Sequence, residues 1–305
     1  PMTDTDLRGP LARPFANAVL CGVDPGRPGF SVAPPKQPLV VDLPPTAEGA
    51  RLLQERGIAI AGASGKGCRI VLDAAQRQRY QVAIAAREPT RCVVLDAAQR
   101  QRYQVSVELF GHDDQTIGLF AAGILQAHLR LEHHGQWIVI GATPWPLYFQ
   151  RIVVRGRDSG VLLADGCSSN GAILTVHGDR TAIALGQDCM LSHEVEIAAS
   201  DEHAIIGLDD LAWLNPPKTV TIGPHAWLGA HASVLKGVAI GAGAILGTRS
   251  VASRDIPARS AAAGMPAKVV RENVTWSRHL APDEASRKLE RDRLDAWLAA
   301  PGQQG

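Results

Sequence analysis

Few side chains in this 305-residue chain could do chemistry, and most of those few do not fit the spacing of a common site. The five cysteines, Cys21, Cys68, Cys92, Cys167 and Cys189, are odd in number, form no C-x-x-C pair and have no histidine at metal-ligand spacing. They read as isolated thiols of a reducing compartment. The run A-G-A-S-G-K-G at Ala61 to Gly67 has a lysine after a glycine. Its glycine spacing is wrong for a phosphate loop and no hydroxyl residue follows Lys66, so it reads as a turn. His133 and His134 sit side by side in a polar turn. His193, His225 and His231 show no arrangement suited to three zinc ligands, so no metal is expected. That leaves His203, which interrupts an otherwise aliphatic pattern.

The pattern is a six-residue register. Ile222, Leu228, Val234, Ile240 and Leu246 follow one another at intervals of six, with glycine next in line at 223, 229, 241 and 247. Six is neither a helical period nor that of a plain strand. It is the mark of a parallel β-helix, in which three short strands close a coil of about 18 residues and the aliphatic positions stack inside a triangular prism. The same register runs through Leu185, Leu191 and Ile197, and the next first position is His203. An imidazole cannot continue an apolar stack unless its nitrogens are satisfied, so the wall must end or open there. Between His203 and Ile222 the register slips by one residue. That segment is expected to leave the prism as a loop, with Asn215, Pro216 and Pro217 bringing it back.

The remaining chain has to position this solenoid. Residues 1–50 are rich in proline and read as loop or partly disordered chain. Over residues 51–155 strand alternation takes over, as in Tyr103, Val105, Val107 and Leu109. The twelve residues VLDAAQRQRYQV occur at 71–82 and again at 94–105, a shift of 23. Two successive hairpins are the simplest reading, with a third across His133 to Gln136, and together they predict a small antiparallel β domain. Residues 156–275 make up the solenoid. Residues 276–305 are a tail whose stretch from Pro282 to Ala300 should form a helix covering the open end or packing on a neighbour. The fold class is therefore all-β, with a parallel β-helix in the C-terminal half, a C-terminal helix after it and an antiparallel β domain before it.

Lysine plus arginine and aspartate plus glutamate nearly cancel, at a formal +1. That balance offers no general attraction for nucleic acid or an anionic membrane. The apolar runs are too short to span a bilayer and no secretory leader opens the sequence, so a soluble cytoplasmic protein is the expectation.

Residues 185–272 resemble the hexapeptide-repeat acetyltransferases, in the branch that acts on sugar and polysaccharide hydroxyls. The resemblance rests on D-E-H at Asp201 to His203, N-P-P-K at Asn215 to Lys218, IGPHAWLGA at Ile222 to Ala230, SRDIP at Ser253 to Pro257 and AGMPAKVVR at Ala263 to Arg271. It implies a left-handed β-helix, an exception to the right-handed crossover rule. It also implies a homotrimer whose active sites lie between subunits, and acetyl-CoA as cosubstrate. His203 matches the family's general base, and Trp227 follows it by the expected 24 residues. Asp201 matches a catalytic-loop position that either orients the base or shapes the turn. Trp227 and Ala230 match the wall along the thioester and pantetheine arm, and Thr248, one coil after Ala230, continues that groove. Ser253 and Arg254 match the polar pair near the nucleotide end, with Lys268 and Arg271 nearby, where cations and hydroxyls suit phosphate groups. Asn215 and Lys218 match a substrate-loop motif.

The function so implied is direct transfer of an acetyl group from acetyl-CoA to a sugar or glycan hydroxyl, with no acyl-enzyme. An amine acceptor on an amino sugar or antibiotic would use the same base. Two further alternatives are a non-catalytic binding scaffold and a zinc enzyme like the γ-class carbonic anhydrases.

Overall fold

A computed structural model describes residues 12–25, 27–33, 38–43, 45–55, 58–61, 68–73, 82–86, 105–109, 113–119 and 125–299. The six-residue register produces the predicted prism. Ile222 pairs with Ile240, Leu228 with Leu246 and Val234 with Ala252, all in parallel and each eighteen residues apart. These side chains are buried in one continuous core that also takes in Leu185, Leu191 and Ile197. Three faces result. The first carries Trp137–Ile140, Gly160–Leu163, Ala182–Leu185, Val220–Ile222 and Ala239–Ile240. The second carries Met190–Leu191, Trp227–Leu228 and Ile245–Leu246, and the third Glu196–Ala198, Ser233–Val234 and Val251–Ala252. The longer strand Ser168–His177 spans both of these, pairing with Met190–Leu191 by its first residues and with Glu196–Ala198 further along.

The antiparallel domain expected over residues 51–155 is not what forms. Ile58–Ala61, Val82–Ala86, Val105–Leu109, Leu125–Leu131 and Leu147–Arg155 pair in parallel, each with the next, and the last of them pairs in parallel with Ser168–His177. The solenoid thus begins far upstream of the hexads. Its early coils are longer, as with Trp137 beside Gly160 and Gly160 beside Ala182. Extra corner residues erase the six-residue period while leaving strand alternation intact. Alternation reports which side of a strand is buried and says nothing about the direction of its neighbour. The expected hairpin across His133 to Gln136 is a coil corner, with Leu125–Leu131 in one sheet and Trp137–Ile140 in the other. Gln136 is buried there and donates to the carbonyls of Val154 and Gly156, each at 2.9 Å. The two copies of the repeated twelve residues end at Val82 and Val105, which are direct partners. The copies are therefore offset by one strand step in that sheet, where two hairpins were expected, while on the first face Cys68–Asp73 pairs in parallel with Thr116–Leu119; most of both copies lies outside the described residues. Antiparallel pairing among the described residues is confined to Pro38–Leu43 with Cys68–Asp73, Ser260–Ala263 with Lys268–Glu272, and a bridge between Ile206 and Trp213.

Residues 12–33, read as loop from their prolines, include the helix Ala12–Leu20. Pro14 lies in its first turn, where a missing N–H costs nothing. Ala18, Cys21, Val23 and Phe30 pack on the outside of the first face, against Trp137, Val139, Leu162 and Ala184.

The C-terminal helix forms as predicted, over Glu284–Ala299. Asp283 caps it by accepting from the Ser286 amide at 2.8 Å. It straps a corner of the prism instead of covering the open end. Along its length Arg293 meets Asp188, Glu290 lies 3.7 Å from His225, Leu294 packs on Gly243 and Asp295 pairs with Arg259. Those corner residues belong to successive coils. Among the described residues no helix is long and apolar enough to cross a membrane.

Candidate active site

After the third-face strand Glu196–Ala198 the chain turns the corner at Ala199 and leaves the prism. It returns at Lys218, whose amide donates to the Ala199 carbonyl at 2.9 Å, so the loop is pinched shut at its base. Asn215 organises the interior. It is 8% exposed and makes four hydrogen bonds: Oδ1 accepts from the Ile205 amide at 2.5 Å and from Trp213 Nε1 at 3.1 Å, while Nδ2 donates to Asp201 Oδ2 at 2.8 Å and to the His203 carbonyl at 2.9 Å. Pro216 and Pro217 hold the backbone extended just beyond it. Lys236, from the same corner one coil further on, pairs with the Asp201 carboxylate and donates to the Asn215 carbonyl at 3.0 Å. Its ammonium, with Asn215, holds the Asp201 carboxyl below the usual carboxylate range.

His203 is thereby fixed by its backbone, through its amide to the Asp201 carbonyl at 2.8 Å and its carbonyl to Asn215. Its ring makes no hydrogen bond among the described residues. It lines a cavity of about 300 Å³ together with His177, Ser200, Glu202, Trp213 and Asn215. An imidazole held by its backbone, with free nitrogens on an open cavity, can accept a proton from a bound group. No hydrogen bond joins Asp201 to that ring among the described residues, and its Oδ2 is met by Asn215 and Lys236.

The other expected residues lie elsewhere. Ser253 and Arg254 stand exposed at the corner occupied by Lys236, one coil beyond it. Lys218 is exposed at the loop base, outside the cavity. Trp227 is on the second face, half-buried, donating from Nε1 to Ser192 Oγ at 3.2 Å. Ala230 and Thr248 follow at the next corner on successive coils, the Arg249 amide donating to the Ala230 carbonyl at 2.8 Å. Lys268 and Arg271 are exposed on the strand that closes the second face. Arg254, Lys268 and Arg271 form no ion pair among the described residues. One chain therefore gathers His203, Asp201 and Asn215 but leaves the wall of Trp227, Ala230 and Thr248 on a different side of the prism.

Sequence reasoning missed His177, Glu202, Trp213 and Lys236. Lys236 had a readable signal, since Val234 holds a first position and the corner two residues later is the one from which the loop departs. Nothing in the spacing singles out His177. His225, set aside as a zinc ligand, is a fully buried corner residue. Its Nδ1 is 2.8 Å from Asp188 and its Nε2 3.0 Å from the Trp276 carbonyl, and its ring stacks on Trp276 at 4.4 Å. Asp188, His225 and Glu290 place their ligand atoms within 4.8 Å of one another, as a metal site would require. The Asp188 and His225 atoms are already hydrogen-bonded, Glu290 Oε2 is buried with no hydrogen-bond partner among the described residues, and Arg278 and Arg293 supply the positive charge against Asp188. Burial works against the charge on Asp188, yet His225 and Arg278 together hold its carboxyl below the usual range.

No family model matches the chain. A polysialic acid O-acetyltransferase of Escherichia coli O1:K1 / APEC is 36% identical over 108 residues, 35% of each chain, so this chain spans about a third of that relative's length. A polysialic acid O-acetyltransferase of Neisseria meningitidis is 31% identical over 150 residues, 42% of this chain and 70% of that one. The chain belongs to the hexapeptide-repeat acetyltransferases. Among solved structures, that of a polysialic acid O-acetyltransferase superposes on this hexapeptide-repeat acetyltransferase with a TM-score of 0.44 at 23% identity, covering 59% of this chain and 96% of the other.

Proposed function

We propose that the chain is an acetyl-CoA-dependent O-acetyltransferase acting on a hydroxyl of a sugar or polysaccharide, with His203 as general base. The observation that carries this reading is the cavity at the loop base, where a backbone-pinned imidazole with unengaged nitrogens meets hydrogen-bonding side chains suited to a polyol. In the reaction His203 takes the hydroxyl proton as the oxygen attacks the thioester carbonyl. The C–S bond breaks as the tetrahedral intermediate collapses, and the imidazolium returns its proton to the departing CoA sulfur. Backbone N–H groups of the coils are the available donors to the oxyanion. No covalent acyl-enzyme enters the scheme, because the acceptor oxygen is itself the nucleophile.

A homotrimer completes the site. The wall of Trp227, Ala230 and Thr248 is not beside His203 within one chain, and a neighbouring prism would bring it there. The protruding loop supports this arrangement. It exposes Ile205, Ile206, Leu208, Leu211, Trp213 and Leu214, with Leu208 91% exposed, an apolar patch of the kind that partner subunits cover. Arg254, Lys268 and Arg271, free of carboxylate partners among the described residues, would receive the CoA phosphates. Buried unpaired thiols at Cys21, Cys167 and Cys189 fit a reducing cytoplasm.

The test is labelled acetyl-CoA offered with a panel of oligosaccharides, sugars and amino sugars, using the unaltered chain and His203→Ala. Label should reach a hydroxyl-bearing acceptor, and the variant should lose at least about a hundredfold in rate while keeping its assembly state, in line with the usual contribution of a general base. Wild-type rates in His203→Ala would remove the mechanism, and label found only on amines would move the acceptor class.

A further inference from the structure

The cavity that holds His203 has a second histidine, and its hydrogen-bond chemistry is fixed from behind. His177 ends the long strand Ser168–His177, so it stands on the rigid prism and not on the loop. Its Nε2 lies 3.3 Å from Arg155 Nη1. A guanidinium only donates, so Nε2 accepts and the ring proton is on Nδ1. Arg155 is held in turn by Glu132, from Nε to Oε1 at 2.9 Å, and it lies 3.9 Å from Glu202, the neighbour of His203. Glu132 also pairs with Arg130. Glu132, Arg155 and His177 thus occupy one corner on three successive coils, since Arg155 and His177 are strand partners and the Glu132 amide donates to the Val154 carbonyl at 3.2 Å. Among the described residues Nδ1 has no partner. Burial first, and Arg155 second, lower the ring's pKa below the ordinary histidine value, so the ring is neutral at pH 7.

A neutral ring whose acceptor nitrogen is already occupied cannot act as another base. It can only donate. The carboxylates and guanidiniums around it are paired with each other, which leaves this part of the cavity suited to an uncharged oxygen. We infer that His177 is an acceptor-binding residue: it donates from Nδ1–H to a hydroxyl or ring oxygen of the sugar unit and so orients a different hydroxyl toward His203. This deepens the proposed O-acetyltransferase reading and rests on it.

The experiment compares the unaltered chain with His177→Phe, which keeps an aromatic ring but has no N–H, and with His177→Asn, whose amide N–H falls near the position of Nδ1. The readouts are acceptor KM, acetyl-CoA Kd by calorimetry and thermal midpoint. One lost hydrogen bond predicts an acceptor KM about tenfold higher in His177→Phe, an unchanged acetyl-CoA Kd, and recovery of most of the difference in His177→Asn. An acceptor KM within twofold of the unaltered chain would overturn the inference and leave the proposed activity standing. So would a loss shared equally by acetyl-CoA Kd or thermal midpoint, or a His177→Asn variant as impaired as His177→Phe. If the unaltered chain transfers no acetyl group, the proposed activity falls. Titration of the same oligosaccharide into unaltered and His177→Phe chains then decides this inference alone: tenfold weaker binding upholds it and equal binding ends it.

Discussion

Asn215→Ala isolates the device that holds His203. The substitution deletes four hydrogen bonds from one buried side chain, freeing the Ile205 amide, the His203 carbonyl, the Trp213 indole and one lone pair of Asp201. At about 0.5–1 kcal/mol net for each, the closed loop loses about 2–4 kcal/mol relative to open forms. Since about 1.4 kcal/mol is a factor of ten, the open population should rise roughly thirty-fold to several-hundred-fold. The loop lies outside the stacked strands, so unfolding of the prism should shift by no more than about 2 °C. Limited proteolysis under native conditions reads the open population directly when closing outpaces cleavage. Cleavage should accelerate only between residues 203 and 217, and any acetyl transfer should fall in step with it. Two results would refute the reasoning: an unchanged cleavage rate in that segment, or faster cleavage that simply follows a lowered global unfolding temperature.

Two further outcomes follow from the corner strap. The carboxyl of Asp188 is depressed in the folded chain, so its contribution to stability is fully present above the unfolded carboxylate value of about 3.9 and is lost as pH falls through the lower folded value. Acid titration followed by Trp276 fluorescence should therefore show the strap releasing below about pH 4, and Asp188→Asn should flatten that step. Leu294→Ala, at a side chain 3% exposed that packs on Gly243, should cost about 2–4 kcal/mol of helix docking, read as faster amide exchange along Glu284–Ala299 with the prism amides unaffected.

The legible part of the sequence was the part where one coil equals three hexads. There Ile222, Leu228 and Val234 announce the face each will occupy, and His203 announces a break in the wall. Upstream, coils such as that from Trp137 to Gly160 carry extra corner residues, and the surviving two-residue alternation fits a hairpin as well as it fits a stacked strand. The site divides along the same line. His203 and Asn215 could be named because they interrupt the register or flank its return. Lys236 and His177 could not, because their roles depend on which corners stack, and stacking is set by coil lengths that only the folded chain reveals. Of the two roles left open for Asp201, orienting the base or shaping the turn, the contacts fit the second: its carbonyl accepts from the His203 amide and its Oδ2 is met by Asn215 and Lys236.

The pairing of Val82 with Val105 has a consequence for how such a chain can change. Along that sheet the copied unit matches one step between strands, so a copy there adds a layer of about 4.8 Å, while on the first face Cys68–Asp73 pairs directly with Thr116–Leu119 and passes over it. Most insertions of that size would scramble the pairing beyond them. Here the strands on either side of the copy keep their pairing, so the column can lengthen along one side while the coils that carry the loop pocket stay as they are.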